Sequence, residues 1–227
     1  MMRLFNFNLS LSFKFYWTLV SCNKENPEGA GDFSNEKKLV KLVSKDKNGG
    51  DLEVFTFKYD DNGKLIKSTG SLDHGEYSGT SDYTWSDNLI MVDDNSAIAL
   101  GNGRIKSNSD NETFIYNESG RLTKYVGKHD TATITWNGDK IVSMSSYVGS
   151  LDFTYGEPLK KGYCPLIPYL MFEYDNLSMA HPELFGIRSK QLPTMISGIL
   201  VTYEFDNEGY ITKIYLNQSN PMILTWE

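Results

Sequence analysis

Histidines, cysteines and convergent acids are the residues that catalysis and metal binding draw on. Among 227 residues the chain holds three histidines (His74, His129, His181) and two cysteines (Cys22, Cys164). Each histidine stands isolated in a loop-like context, with no Cys or His at ligand spacing, so no zinc site is predicted. Gly70-Ser71-Leu72-Asp73-His74-Gly75 places a serine, an acid and a histidine on one loop. The members of a catalytic triad converge from separate elements, which near-neighbours on one loop cannot easily do. The chain has no H-E-x-x-H, no phosphate-binding glycine loop and no G-x-S-x-G. Asp60-Asp61-Asn62, Asp93-Asp94-Asn95 and Asp206-Asn207-Glu208 offer the oxygen ligands that calcium prefers, without the spacing of an EF-hand loop. Turn chemistry already accounts for these acids. A carboxylate pair for sugar hydrolysis can be distant in sequence, and nothing singles one out. The expectation is no catalytic residue, no metal and no cofactor.

The elements that would position such groups are read from periodicity. Phe55, Phe57 and Tyr59 alternate with Val54, Thr56 and Lys58, the pattern of a strand with one apolar face. Three segments then align: 57–67, 114–124 and 203–213. In each, an aromatic (Tyr59, Tyr116, Phe205) is followed by Gly63, Gly120 or Gly209, then by Leu65, Leu122 or Ile211, then by Lys67, Lys124 or Lys213. Short polar side chains build a turn, and glycine takes the positive-φ position that closes a bulged hairpin. Strand-closing aromatics fall at 59, 85, 116, 136, 155, 205 and 226, mostly one hairpin apart. Trp136 leads into Asn137-Gly138, a strong hairpin signal. The lysines are read as solvated strand residues pairing with cross-strand acids. Trp85 and Trp136 are read as architectural, with sugar stacking the alternative.

The fold class that follows is all-β: a large curved antiparallel meander of consecutive hairpins, roughly a dozen strands in all. A short helical insertion at about 160–190 interrupts it. There Cys164-Pro165-Leu166-Ile167-Pro168 suits a helix start, and Pro182-Glu183-Leu184-Phe185-Gly186 a helical turn with a glycine stop. So apolar a segment must be covered, and it is expected to pack on one face of the sheet, with Met171, Phe172, Leu184 and Phe185 as core candidates.

The first 22 residues carry only two charges before Cys22, Arg3 and Lys14. Leu19-Val20-Ser21-Cys22 resembles the lipobox of bacterial lipoproteins. The resemblance implies cleavage before Cys22 and acylation of its sulfur and amine, anchoring the chain in a membrane. The domain layout is then a signal peptide at 1–21, a flexible tether at 22–36 rich in Pro, Gly, Asn and charge, and a single β domain at 37–227. The alternation of Phe5, Phe7, Leu9, Leu11, Phe13 and Phe15 with polar residues keeps an N-terminal strand open as an alternative. With Cys22 acylated, Cys164 is the remaining thiol and reads as a buried small apolar residue.

The aromatic-Asp-x-x-Gly-x-Leu-x-Lys unit resembles the YD repeat of Rhs-type bacterial surface proteins, where it builds curved β-sheets. Over nearly all of the mature chain the sequence is similar to a domain-of-unknown-function family of lipoproteins from Bacteroidota-type gut bacteria. The lipobox, the repeats, the segment 184–193 and the ending YEFDNEGYITKI carry that likeness. It implies an exported lipoprotein, and it brings no established activity.

Net charge is −7, with 22 basic and 29 acidic residues, which argues against a nucleic-acid partner. The reading that results is a non-enzymatic, lipid-anchored binding or interaction protein of the cell envelope, at the outer membrane. Its partners would be the membrane, through the anchor, and a glycan, lipid or protein ligand. The alternatives are a carrier holding an apolar ligand in a half-barrel cavity, and a glycan- or peptide-acting envelope hydrolase.

Overall fold

The alternation along each segment sends apolar side chains to one side of a continuous antiparallel sheet, and the sheet closes around them. A computed structural model describes residues 36–128, 130–147, 149–172, 176–189 and 191–227. Among the described residues sixteen strands pair strictly in chain order, and the first pairs with the last, so the sheet is a closed barrel. The first eight are β1 (Leu39–Lys45), β2 (Asp51–Tyr59), β3 (Leu65–Leu72), β4 (Tyr77–Ser86), β5 (Leu89–Val92), β6 (Ser96–Gly101), β7 (Arg104–Asn108) and β8 (Thr113–Tyr116). There follow β9 (Leu122–Val126), β10 (Thr131–Asn137), β11 (Lys140–Ser146), β12 (Gly149–Pro158), β13 (Gln191–Ile196), β14 (Ile199–Phe205), β15 (Ile211–Leu216) and β16 (Met222–Trp226). The meander of hairpins is therefore present, with more strands than the aromatic spacing suggested. Closure is completed by a reciprocal pair of main-chain bonds between Lys38 and Glu227.

The three repeat turns share one hydrogen-bond pattern. Asp60, Asn117 and Asp206 each accept a main-chain bond from the glycine three residues on and donate one to the carbonyl four residues on. A side-chain oxygen of the same residue also accepts the N–H four residues on, from Lys64, Arg121 and Tyr210. Gly63, Gly120 and Gly209 sit at φ +74, +69 and +97, where L side chains are strained. Each return strand bulges at its start, where the register slips between Leu65 and Lys67, Leu122 and Lys124, and Ile211 and Lys213.

Interior and exterior follow the pleat. Phe55, Phe57, Ile134 and Phe153 are buried, whereas Thr133, Thr135, Asp152 and Thr154 face out. One aliphatic residue from the start of each odd-numbered strand is buried: Leu39, Leu65, Ile90, Ile105, Leu122, Ile141, Leu192 and Ile211. Such a side chain contributes about 1.5–3 kcal/mol on burial, so this set is a main source of the barrel's cohesion.

The insertion between β12 and β13 packs on the inner face. It carries α1 (Leu166–Met171) and α2 (Asn176–Ala180). Tyr169 bonds Glu53 on β2, and Phe172 and Phe185 pack on Phe114 of β8. Tyr163 packs on Trp226 of β16. Contacts with strands on every side of a closed sheet place the segment inside it, as a plug. Of the expected core residues, Phe185 is buried, and Met171, Phe172 and Leu184 are half-buried against the same core.

Candidate functional site at the barrel mouth

A bulge leaves main-chain groups of the ladder without strand partners, and buried ones must find partners elsewhere. Two kinds of group answer this need at the barrel end that carries the repeat turns. The carbonyls are met by the closing aromatics of the next strand. Trp85 Nε1 donates to Leu65 O at 2.7 Å, Trp136 Nε1 to Leu122 O at 2.7 Å, and Trp226 Nε1 to Ile211 O at 2.6 Å. Tyr59, Tyr116 and Tyr203 hydroxyls do the same to Leu39, Ile105 and Pro193. In β14 the clasp therefore comes from Tyr203, and Phe205, which has no polar tip, is 43% exposed.

The bulge amides are met by the plug. Ile105 N–H donates to Leu184 O at 2.9 Å, and Leu122 N–H to Gly186 O at 3.2 Å. Leu65 N–H donates to the Nε2 of His181 at 3.1 Å. An amide only donates, so Nε2 holds the lone pair and the neutral ring carries its proton on Nδ1, 2.6 Å from Glu183 Oε1. Tyr59 and Trp85 pack edge-on against the ring. Beside it, Arg188 donates to Glu36 Oε2 at 2.8 Å and to Gly162 O at 3.0 Å. Glu36, Tyr163, His181, Glu183 and Arg188 are among the residues lining a partly open space of about 20 Å³, enough for one water molecule.

Chemically the cluster is a clamp. His181 has no lone pair free to take a substrate proton while it holds Leu65. Burial pushes the Cys164 thiol up to about 11, and burial likewise holds the Tyr59 and Tyr163 hydroxyls well above the usual phenol range. Among the described residues no three His, Cys, Asp or Glu converge as a metal site.

The other candidate residues are dispersed. His74 faces Asp46 of a neighbouring turn at 3.7 Å, at the opposite end of the barrel from His181. His129 and Cys22 lie outside the described residues, as do the signal segment and nearly all of the tether. In the acid-rich turns Asp60 and Asp206 spend their carboxylates on backbone N–H groups, Glu208 pairs with Lys37, and Asp93 accepts from Asp82 N–H. Lys67 pairs with Asp82 and Lys213 with Glu204, each directly across the strands. Lys124 lies opposite Ile115 and Thr133 instead, so its sequence equivalence brings no acid. Trp136 is stacked by Arg121, 5.4 Å from its ring. The pairing of His181 with Glu183 and Leu65 escapes sequence reasoning, because Leu65 and His181 are 116 residues apart.

The molecule these features define is a closed antiparallel barrel with an internal plug. No family model matches the chain, and no curated protein does. Solved structures do resemble it. A porin-like protein of Bacteroides uniformis is 17% identical, with a TM-score of 0.59 over 83% of this chain and 98% of that one. A porin-like protein of Bacteroides vulgatus is 10% identical, with a TM-score of 0.51 over 85% and 99%. These likenesses are of fold.

Proposed function

We propose that the protein is an exported, non-enzymatic binding or interaction protein of the bacterial cell envelope, held to the membrane through acylated Cys22. One observation carries this reading: the barrel is apolar inside and filled by a segment of its own chain, and its outer wall is mixed, with Ile115, Met195 and Leu200 exposed among polar positions. A transmembrane barrel presents an apolar band to lipid and a polar lumen. Thr131, Thr133 and Thr135 on β10, and Ser150, Asp152 and Thr154 on β12, are exposed or half-exposed outward positions. The two Bacteroides proteins are described as porin-like. For this chain the filled apolar interior favours a water-facing body tethered by lipid over a pore. The plug occupies the lumen, which speaks against an apolar ligand held there, and the depression of about 320 Å³ lined by Lys38, Val40, Phe57, Lys58, Tyr59 and Glu227 is open and carries two lysines and a carboxylate. The occupied lone pair of His181 and the buried thiol of Cys164 speak against a hydrolase.

Binding would then fall to the outer wall and the loops. Labelling of producing cells with a radioactive fatty acid tests the anchor: label is expected in the native protein and lost in Cys22→Ala. Equal label in both refutes it. A screen of glycans and lipids against the acylated full chain tests the binding role, with a saturable partner expected.

A further inference from the structure

We propose that His181 is a proton-operated latch between the plug and β3. Three bulge amides hold the plug at the barrel mouth, and they differ in one respect. Ile105 and Leu122 donate to main-chain carbonyls of Leu184 and Gly186, which do not titrate. Leu65 donates to an imidazole nitrogen, which does. A proton taken from water by Nε2 fills the lone pair that the Leu65 N–H uses. Two N–H groups then face each other where a hydrogen bond stood.

The charged partner of the ring does not counter this. Glu183 Oε1 lies 2.6 Å from Nδ1, and Nδ1 carries a hydrogen in both protonation states. Glu183 is two residues along the same segment, so its attraction for an imidazolium is internal to the plug and does not hold the plug to β3. The other groups around the ring are the edges of Tyr59 on β2 and Trp85 on β4, with Lys64 Nζ over the Trp85 ring. Glu36, Lys37, Lys38, Tyr163 and Arg188 line the adjoining space, and Arg188 already engages Glu36. In the structure Leu65 N–H donates to the His181 ring and to none of these groups. Acidification therefore releases this one tie and leaves the other two, loosening the 181–183 corner.

Amide hydrogen exchange on the full chain, corrected for intrinsic rates and read residue by residue, tests the latch with built-in controls. Between about pH 8 and about pH 5, protection of Leu65 is expected to fall at least about tenfold while Ile105 and Leu122 keep theirs. Leu65 tracking the other two amides, whether all fall or all hold, overturns the proposal. His181→Gln removes the titrating group, and its Leu65 exchange is expected to lose the pH dependence. A dependence that persists in His181→Gln assigns the effect to Glu183 or another group and equally overturns it. If that variant does not fold, the wild-type comparison of the three amides still decides.

Discussion

Trp136 donates its indole N–H to the main-chain oxygen of Leu122 across 2.7 Å, and the β8–β9 register slips between Leu122 and Lys124. The same relation joins Trp85 to Leu65 and Trp226 to Ile211. The aromatic in each copy thus repairs a defect that the preceding glycine turn creates. Turn, bulge and aromatic form one mechanical unit.

Trp136→Phe keeps an aromatic ring and removes the donor, leaving the Leu122 carbonyl without its partner. The expected loss is about 1–3 kcal/mol of unfolding free energy, measured by urea denaturation. Ile115→Thr, on the outer face of β8, is the control and is expected to change stability by no more than about 0.5 kcal/mol.

Two glycines of similar conformation separate strain from contact. Gly138 (φ +59) has no heavy atom within 4 Å of where a Cβ would stand, whereas at Gly186 (φ +61) a Cβ would lie 2.5 Å from Gly120 O and 3.1 Å from Leu122 N. Gly138→Ala is expected to cost about 1 kcal/mol, the left-handed penalty alone. Gly186→Ala presses on backbone that cannot yield and breaks the Leu122 tie, so more than about 2 kcal/mol is expected. Equal melting temperatures for the two variants would contradict this account.

Cys164 is expected to react slowly. With its thiol pushed up to about 11 by burial, against 9.0 for a free one, the thiolate fraction near neutral pH is about a hundredfold lower than in the unfolded chain. Iodoacetamide followed by mass spectrometry should leave Cys164 unmodified in the folded protein and alkylate it after denaturation.

Asp206 supplies a pH dependence of definite sign. Hydrogen bonds from the N–H groups of Tyr210, Glu208 and Gly209 hold its carboxyl below the ordinary carboxylate range. A carboxyl so lowered stabilises the fold above its unfolded pKa, and the contribution disappears as pH falls through the folded value. Asp206→Ala should therefore melt below the wild type at neutral pH, with the gap closing in acid. Asp206→Asn should be better tolerated, since Asn117 already occupies the equivalent place.

The sequence by itself determined what depends on neighbours along the chain. Alternation placed Phe55 and Phe57 on one face, and the glycines at 63, 120 and 209 marked reversals, because the sign of φ and the reach of an Asp side chain are local properties. The same logic operates unannounced elsewhere. Asp46 accepts from Asn48 and Gly50 ahead of Gly49 at φ +83, and Asn108 accepts from Asp110 and Glu112 ahead of Asn111 at φ +62. These turns lie at the other end of the barrel, where no clasping aromatic precedes them. The turn between β5 and β6 is the acid-rich 93–95 segment, whereas the β6–β7 hairpin carries no closing aromatic because β6 ends at Leu100-Gly101.

Only the tertiary structure decided closure, the inward seat of the plug and the meeting of His181 with Leu65. Strand β1 finds β16 rather than an open edge, and a helical segment finds the lumen rather than an outer face. Both outcomes depend on the accumulated twist and count of strands, summed over the whole sheet and written in no single segment.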